Sequence, residues 1–411
     1  MSHATAKIAV LIADGLGDRP CPELEGNTPL EAADTPNLDA IAARGECGIM
    51  DPIAPGIRAG SDTSHLALLG YDPHATYTGR GPFEAAGIGM EVRGGDICFR
   101  CNFATVGDAF VVRDRRAGRI ESATRALAQA LDGMEIEGVE VIFKESVEHR
   151  AALILRGDGL GHLVSDTDPH EEGEKVWEAR GEDAPSEKTA RVVNEFVRRS
   201  HDVLKDHPVN QRRRDEGKLP ANIVLPRGAG IAPHLDAFER RHRLSGACVV
   251  EVGLIKGIGR YLHMGVPDVA GATGGYDTDE MALAQAAVAA LGDRDFVLCN
   301  LKQPDLAGHD GDAVRKVEAL NKFDRLAGHV AQALGDEAYI VITGDHSTPV
   351  AVRDHSGDPV PLAIVGSGVR TDGVREFGER SVTKGGLSRI RGADLMAILT
   401  NLVSVQAKFG A

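Results

Sequence analysis

Six residues of metal-ligand type flank short apolar runs in this chain. Asp14 follows the run 8–13, Asp305 and His309 follow 296–301, Asp345 and His346 follow 339–343, and His355 precedes 361–365. Asp supplies a hard oxygen and His an imidazole nitrogen, so three of each form a donor set suited to two divalent cations. Two such ions about 3.5–4 Å apart can clamp a transferring phosphoryl group. Each position also has a plainer reading: an N-cap at Asp345, a solvated helix face at Asp305 and His309, a surface side chain at His355. Their joint placement beside apolar runs favours the donor set. Asp345 and His346 are adjacent, so they face opposite ways on a strand and converge only at a strand-to-loop turn. Pro304 and Gly308 predict a loop around Asp305 and His309.

Ser61 lies in Gly60-Ser61-Asp62-Thr63-Ser64-His65, ahead of the helix-compatible segment 66–70. A serine at a helix N-terminus meets free N–H groups and the positive end of the dipole. Beside a divalent cation its hydroxyl becomes a nucleophile. Ser61, Asp62 and Thr63 are all good N-caps, and spacing alone favours the cap over the nucleophile. A third set is basic. The segment 113–119 is dense in guanidinium groups and contains Arg115 and Arg116; Arg150 opens one strand candidate, Arg227 closes another, and Lys256 follows a third. Such groups suit bidentate binding of phosphate and carboxylate, with salt bridging across a solvated surface as the alternative. Cys98-Phe99-Arg100-Cys101 is a lone CxxC, better explained by strand packing than by zinc.

The elements that must position these residues follow from periodicity. The runs 7–13, 296–301, 339–343 and 361–365 predict strands, the first three buried on both faces. Thr35-Pro36 predicts an N-cap and first helical turn, and helical patterns occupy 278–291, 313–334 and 393–403. The alternation predicts an α/β fold whose mostly parallel sheet is covered by helices on both faces and gathers ligands at its carboxyl ends. From about residue 76 to 267 the pattern changes to short strand candidates at 139–143, 151–155, 223–225 and 247–252, with one long helix at 189–205. The expected organisation is a discontinuous core of 1–75 and 268–411 with a smaller α/β domain, 76–267, inserted into it.

Composition narrows the function. The chain has 411 residues, with 46 Lys and Arg against 61 Asp and Glu, a net charge of −15. Such a chain is a poor candidate for coating nucleic acid or an anionic membrane, so an anionic small molecule needs a local site. No run approaches the roughly 20 apolar residues of a membrane span, and the first apolar run is too short for a signal-peptide core. The expectation is a cytoplasmic protein with six thiol cysteines. Its oligomeric state is not readable.

Read in order, several longer segments carry a family resemblance. They include Leu11-Ile12-Ala13-Asp14-Gly15, Thr28-Pro29-Leu30-Glu31-Ala32-Ala33, Gly60-Ser61-Asp62-Thr63-Ser64-His65 and Gly79-Arg80-Gly81-Pro82-Phe83-Glu84-Ala85. Phe99-Arg100-Cys101-Asn102-Phe103-Ala104-Thr105, Asp114-Arg115-Arg116-Ala117-Gly118-Arg119, Asp206-His207-Pro208-Val209-Asn210, Gly308-His309-Asp310-Gly311-Asp312 and Thr343-Gly344-Asp345-His346-Ser347-Thr348-Pro349 continue the set. Over essentially its whole length the chain resembles the archaeal-type cofactor-independent phosphoglycerate mutases, a branch of the alkaline phosphatase superfamily. The resemblance implies an alkaline-phosphatase-like core and an insert that closes over it. It implies a phosphoserine intermediate at Ser61, one metal on Asp14, Ser61, Asp345 and His346, and a second on Asp305, His309 and His355. Mn²⁺ is the first choice of metal, with Zn²⁺, Co²⁺ and Mg²⁺ as alternatives, and no 2,3-bisphosphoglycerate is needed. His65, Asn102, Arg115, Arg116, Arg150, Arg227 and Lys256 are the expected substrate contacts. Gln303 and His263 depart from the family pattern, which favours a smaller residue and Gly respectively. A metal-dependent phosphatase and a non-enzymatic metal-binding protein are the competing readings.

Overall fold

The computed structural model describes residues 6–408 and 410. The chain divides into two compact units, Met1–Thr76 with Leu235–Ala411, and Tyr77–His234. Strands are numbered in chain order. The first unit holds β1 (Lys7–Ala13), β2 (Glu46–Asp51), β9 (Gly246–Val249), β10 (Phe296–Leu301), β11 (Ala338–Gly344), β12 (Val360–Val365) and β13 (Ser388–Arg391). The second holds β3 (Ile97–Val106), β4 (Val112–Asp114), β5 (Glu135–Ile136), β6 (Val139–Glu145), β7 (Arg150–Arg156) and β8 (Ile223–Gly230).

The first unit is built on a seven-stranded sheet of order β13-β2-β12-β11-β1-β10-β9. β9, β10, β1 and β11 pair in parallel, and β13 pairs in parallel with β2. β12 alone runs against its neighbours β11 and β2. A central strand of a parallel sheet must be apolar on both faces. β1 meets this requirement, since Ile8 through Ala13 are all buried. Ala9, Leu11 and Ala13 pack with Leu320, Phe323, Leu326 and Val330 of the helix Ala313–Leu334. Each large side chain buried this way contributes about 1.5–3 kcal/mol.

Three sequence expectations change. The inserted segment ends at His234 rather than at 267. The reason is β9, which hydrogen-bonds to β10 in the register Phe296↔Gly246 through Cys299↔Val249 and so belongs to the first sheet. Thr35 makes no side-chain cap. The helix Pro36–Arg44 is capped across the fold instead, by the Asp324 carboxylate, which accepts from the backbone N–H groups of Asn37 and Leu38, both at 2.9 Å. Asp305 and His309 lie on a helix, Gln303–Asp310, and not in a loop. Pro304 fits at its first turn, where no backbone donor is needed. Gly308 fits because a Cβ there would sit 2.2 Å from the Thr348 carbonyl oxygen.

The two departures from the family pattern also find physical places. His263 has φ 56°, the left-handed region that favours glycine. The buried Gln303 amide donates to the carbonyls of Gly275, Tyr276 and Thr278.

In the second unit β3 is the long central strand, antiparallel to β7 on one side and β8 on the other. Phe99, Cys101 and Phe103 face a core shared with Phe143 of β6 and with Val193, Phe196 and Val197 of the helix Ala184–Leu204. Cys98, Arg100 and Asn102 take the opposite face by the two-residue period of a strand. Cys98 packs there with Ala85 of the helix Gly81–Gly87. The two cysteines of the CxxC therefore serve separate clusters.

Candidate active site

Parallel strands end at a common edge. β1, β10 and β11 place Asp14, Lys302 with the helix Gln303–Asp310, and the Asp345-His346 pair at the carboxyl edge of the first sheet. β12 runs the other way, so the segment before it, with His355, returns to the same edge. Gly15 turns the chain after Asp14 at φ 64°, where its N–H donates to Asp345 Oδ1 at 3.1 Å. A side chain at Gly15 would also meet Thr348 Oγ1 at 2.7 Å.

Two donor groups result, Asp305 with His309 and His355, and Asp14 with Asp305 and His346. Asp305 is the shared member, whereas the resemblance assigns it to the second metal alone. Its Oδ1 lies 3.1 Å from His346 Nε2, 3.5 Å from His309 Nε2 and 3.6 Å from His355 Nε2. Asp345 Oδ2 lies 2.8 Å from His346 Nδ1, the convergence a strand-to-loop turn permits. Among the described residues the buried His346 Nδ1 has no partner in well-aligned hydrogen-bonding geometry. Close, misaligned donor atoms are how two ligands of one cation sit.

The histidines are oriented as metal ligands are. His309 Nδ1 lies 3.1 Å from the Arg353 carbonyl oxygen and His355 Nδ1 lies 2.7 Å from that of Ala59. A carbonyl accepts from Nδ1–H, which leaves each Nε2 as a lone-pair donor facing Asp305. Burial first, then the neighbouring His346, lowers His355 to about 4, so this imidazole is neutral. The carboxylates carry an excess of buried negative charge. Asp14 is raised by burial and by Asp345, with Lys302 opposing. Asp305 is held well below the usual range despite its burial, chiefly by Lys302 and then His346. His346 is pushed up to about 10, because Asp345 and Asp305 outweigh the effect of burial. The donor set therefore fits hard-to-borderline divalent cations.

Ser61 is the first residue of the helix Ser61–Leu68, after the N-cap Gly60. The first turn of this helix is fixed to the donor set: Ser64 Oγ donates to Asp345 Oδ2 at 3.4 Å, and the Ser61 carbonyl accepts from His65 Nδ1 at 2.7 Å. His65 is fully buried, and its Nε2 lies 3.3 Å from Asn300 Nδ2, which also donates to Asp14 Oδ2 at 3.0 Å. Both ring nitrogens are thus engaged inside the protein, on the Ser61 carbonyl and Asn300, so His65 presents no free edge to a ligand. Lys256 belongs to the first unit, on the helix Gly253–Tyr261 that packs against the serine helix, and lies 3.2 Å from Asp268.

Sequence reasoning missed Asn300, Lys302 and Glu251. Lys302 Nζ donates to Asp14 Oδ1 at 2.8 Å and lies 2.7 Å from Asp305 Oδ2. Glu251 accepts from the Lys302 backbone N–H at 2.6 Å, and burial pushes its carboxyl up to about 7. The usable signal was position alone: Asn300 and Lys302 bracket the end of β10, and Glu251 follows β9 by two residues.

The second unit gathers cations on one sheet face. Register places Arg150 opposite Asn102 and Arg227 opposite Arg100 on the strands flanking β3. Arg115 binds Asp168 bidentately, at 2.8 and 2.6 Å, and Arg227 lies 3.6 Å from the same carboxylate. Arg116 is exposed and lines a cleft with Arg115, Arg119 and His170. Burial, then Arg80, lowers Arg100 well below its usual value, and burial likewise lowers Arg227. Burial and the arginines around it push His149 down to about 3. Among the described residues the buried Nε atoms of Arg100, Arg150 and Arg227 have no hydrogen-bond partner. Crowded, under-satisfied guanidiniums of this kind fit an oxyanion.

A sheet-edge centre of carboxylates and imidazoles beside a helix-terminal serine defines the class, an α/β enzyme of phosphoryl transfer. The comparisons make it particular. The family profile described as 2,3-bisphosphoglycerate-independent phosphoglycerate mutase matches residues 42–210. The 2,3-bisphosphoglycerate-independent phosphoglycerate mutase 1 of Methanothermobacter thermautotrophicus is 54% identical, covering 98% of this chain and 100% of its own length. The corresponding Methanocaldococcus jannaschii protein is 49% identical, covering 98% and 99%. The solved cofactor-independent phosphoglycerate mutase of Thermoplasma acidophilum superposes with a TM-score of 0.70 at 40% identity, covering 97% of this chain and 100% of its own. A Pyrococcus horikoshii structure superposes at 0.85 with 42% identity, covering 99% and 100%. The chain belongs to the 2,3-bisphosphoglycerate-independent phosphoglycerate mutases, a family of isomerases. Among the described residues no helix is long and apolar enough to cross a membrane.

Proposed function

We propose that the chain interconverts 3-phosphoglycerate and 2-phosphoglycerate without bisphosphoglycerate, through a phosphoserine at Ser61, as a cytoplasmic step of glycolysis and gluconeogenesis. The observation that carries the reading is the serine helix, whose first turn is tied to Asp345 within the donor set. Asp14, Ser61, Asp345 and His346 would hold one divalent cation and Asp305, His309 and His355 another, Mn²⁺ being our first choice. Bound there, the ions supply Lewis-acid stabilisation of the serine alkoxide and the phosphoryl oxygens.

The protein's own residues account for the remainder. Ser61 Oγ attacks phosphorus in line; its bond to phosphorus forms as the bond from phosphorus to O3 of the glycerate breaks. The proton from Ser61 passes to O3. O2 of the same glycerate then attacks the phosphoserine, the Oγ–P bond breaks, and Ser61 regains a proton. No water is consumed, so the glycerate must be retained between the steps. Arg115, Arg116, Arg150 and Arg227 supply bidentate donors for its carboxylate and phosphate, with Asn102 as a neutral partner and Arg100 alongside them. Lys256 is a further proposed contact, and His65 positions the serine turn.

The test is ³¹P NMR of the Mn²⁺-loaded protein with 3-phosphoglycerate and no added bisphosphoglycerate. A growing 2-phosphoglycerate signal at constant total ester is expected. Growth of inorganic phosphate would make the protein a hydrolase, and no change with metal bound would overturn the substrate. Ser61→Ala should abolish turnover and phosphoprotein formation yet leave Mn²⁺ binding measurable by calorimetry; mutase activity in that variant would refute the nucleophile.

A further inference from the structure

Lys302 is the cation at the centre of the donor set, and neither the sequence motifs nor the expected ligand groups include it. Its ammonium bridges Asp14 and Asp305, at 2.8 and 2.7 Å, one carboxylate from each expected metal group. The other oxygens of those carboxylates are also engaged: Asp14 Oδ2 accepts from Asn300 Nδ2 at 3.0 Å, and Asp305 Oδ1 accepts from Thr348 Oγ1 at 2.7 Å with His346 Nε2 at 3.1 Å. The lysine's backbone is fixed by Glu251, and its side chain is 16% exposed where the two carboxylates are 0% and 3%. It therefore lies on the open side of the pair.

An ammonium has three donors. Two face Asp14 and Asp305, and among the described residues no third acceptor reaches the Lys302 ammonium. A phosphoryl group bound between the two donor groups would meet that third N–H with an equatorial oxygen. We propose that Lys302 is a further catalytic residue, a fixed cation that donates a charge-assisted hydrogen bond to the transferring phosphoryl group. The assignment rests on the mutase reading above. It requires no proton transfer by the lysine, which stays charged throughout. Its carboxylate partners anchor it in place, so its position costs no reorganisation when charge develops on the phosphoryl oxygens.

The test uses the full-length protein, Lys302→Met and Lys302→Arg. Mn²⁺ binding is measured by calorimetry, orthovanadate binding to the Mn²⁺-loaded protein by competition, and turnover by ³¹P NMR. Removing a cation from between two ligands strengthens metal binding, so Lys302→Met should bind Mn²⁺ at least as tightly as the wild type. It should bind vanadate about 10–100-fold more weakly and lose kcat by at least that factor. Lys302→Arg, which keeps the charge, should recover part of the vanadate affinity. Vanadate affinity and kcat within threefold of wild type in Lys302→Met would overturn the proposal. So would Mn²⁺ binding more than tenfold weaker, since the lysine would then be an organiser of the ligands. An inactive wild type would refute the mutase reading alone, because the vanadate comparison still tests the lysine.

Discussion

Replacing Asp168 by Asn removes a buried anion of the second unit's basic face while keeping its shape. The Asp168 side chain is fully buried; it accepts two bonds from Arg115 and one from the His170 backbone N–H at 3.1 Å, with Arg227 at 3.6 Å. An amide can keep one of the Arg115 bonds, but its NH₂ then faces a guanidinium donor. Two cations lose their shared counter-charge. Breaking a buried ion pair costs about 3–5 kcal/mol. Arg115 and Arg227 retain 21% and 19% exposure, so water recovers part of this and about 3 kcal/mol is expected at the low end of that range. With a urea m-value of about 2 kcal/mol/M, the midpoint falls by about 1.5 M. The chain's one tryptophan gives the assay. Trp177 belongs to the second unit, its backbone N–H donates to the Thr167 carbonyl at 2.9 Å, and its ring lies 5.9 Å from that of His170. Its fluorescence therefore follows the unfolding around Asp168. A midpoint within 0.3 M (roughly 0.6 kcal/mol) of wild type at unchanged m would refute the counter-ion argument.

Three further outcomes are expected. His149 is neutral in the folded protein, lowered to about 3 by burial and then by Arg150 and its neighbours, and takes up a proton in the unfolded chain near pH 6.5. Its folded value is the lower one, so its contribution is present above pH 6.5 and is lost as pH falls towards 3. Going from pH 7.5 to 5.5 should remove about 1.4 kcal/mol of stability, and urea titrations of His149→Gln should lack that increment; an unchanged pH slope would contradict it. Asp324→Ala removes the acceptor for Asn37 and Leu38 and should cost about 2 kcal/mol, a fall of about 4–8 °C in a thermal melt. Gly308→Ala drives a methyl group onto the Thr348 carbonyl, 2.2 Å away, and should weaken Mn²⁺ binding in calorimetry by displacing Asp305 and His309 together.

The legible part of the site was set by local rules, and the rest by strand register. An apolar run buried on both faces announces itself, so β1, β10 and the helix Ala313–Leu334 stand where their periodicity puts them. In a parallel sheet the residue after such a run lies at the ligand edge, which singled out Asp14 and the Asp345-His346 pair. What the edge residues touch depends on alignment between distant segments. β1 pairs with β10 as Ile12↔Asn300 and Ala13↔Leu301, and this register carries Lys302 to Asp14 and Asn300 to His65. A slip of one residue would send both to the other face, yet leave each segment's periodicity unchanged. The basic face has the same logic. Arg100 is unremarkable within β3 until antiparallel pairing sets Arg227 beside it, as it sets Arg150 beside Asn102. Asp324 is likewise an ordinary helical residue until the fold brings it under Pro36–Arg44, where it does the capping that Thr35 does not. Residue type at an element's end thus names the chemistry available, whereas long-range pairing decides which charges meet. That is why the ligand candidates emerged from the sequence while their counter-ions, Lys302 and Asp168, did not.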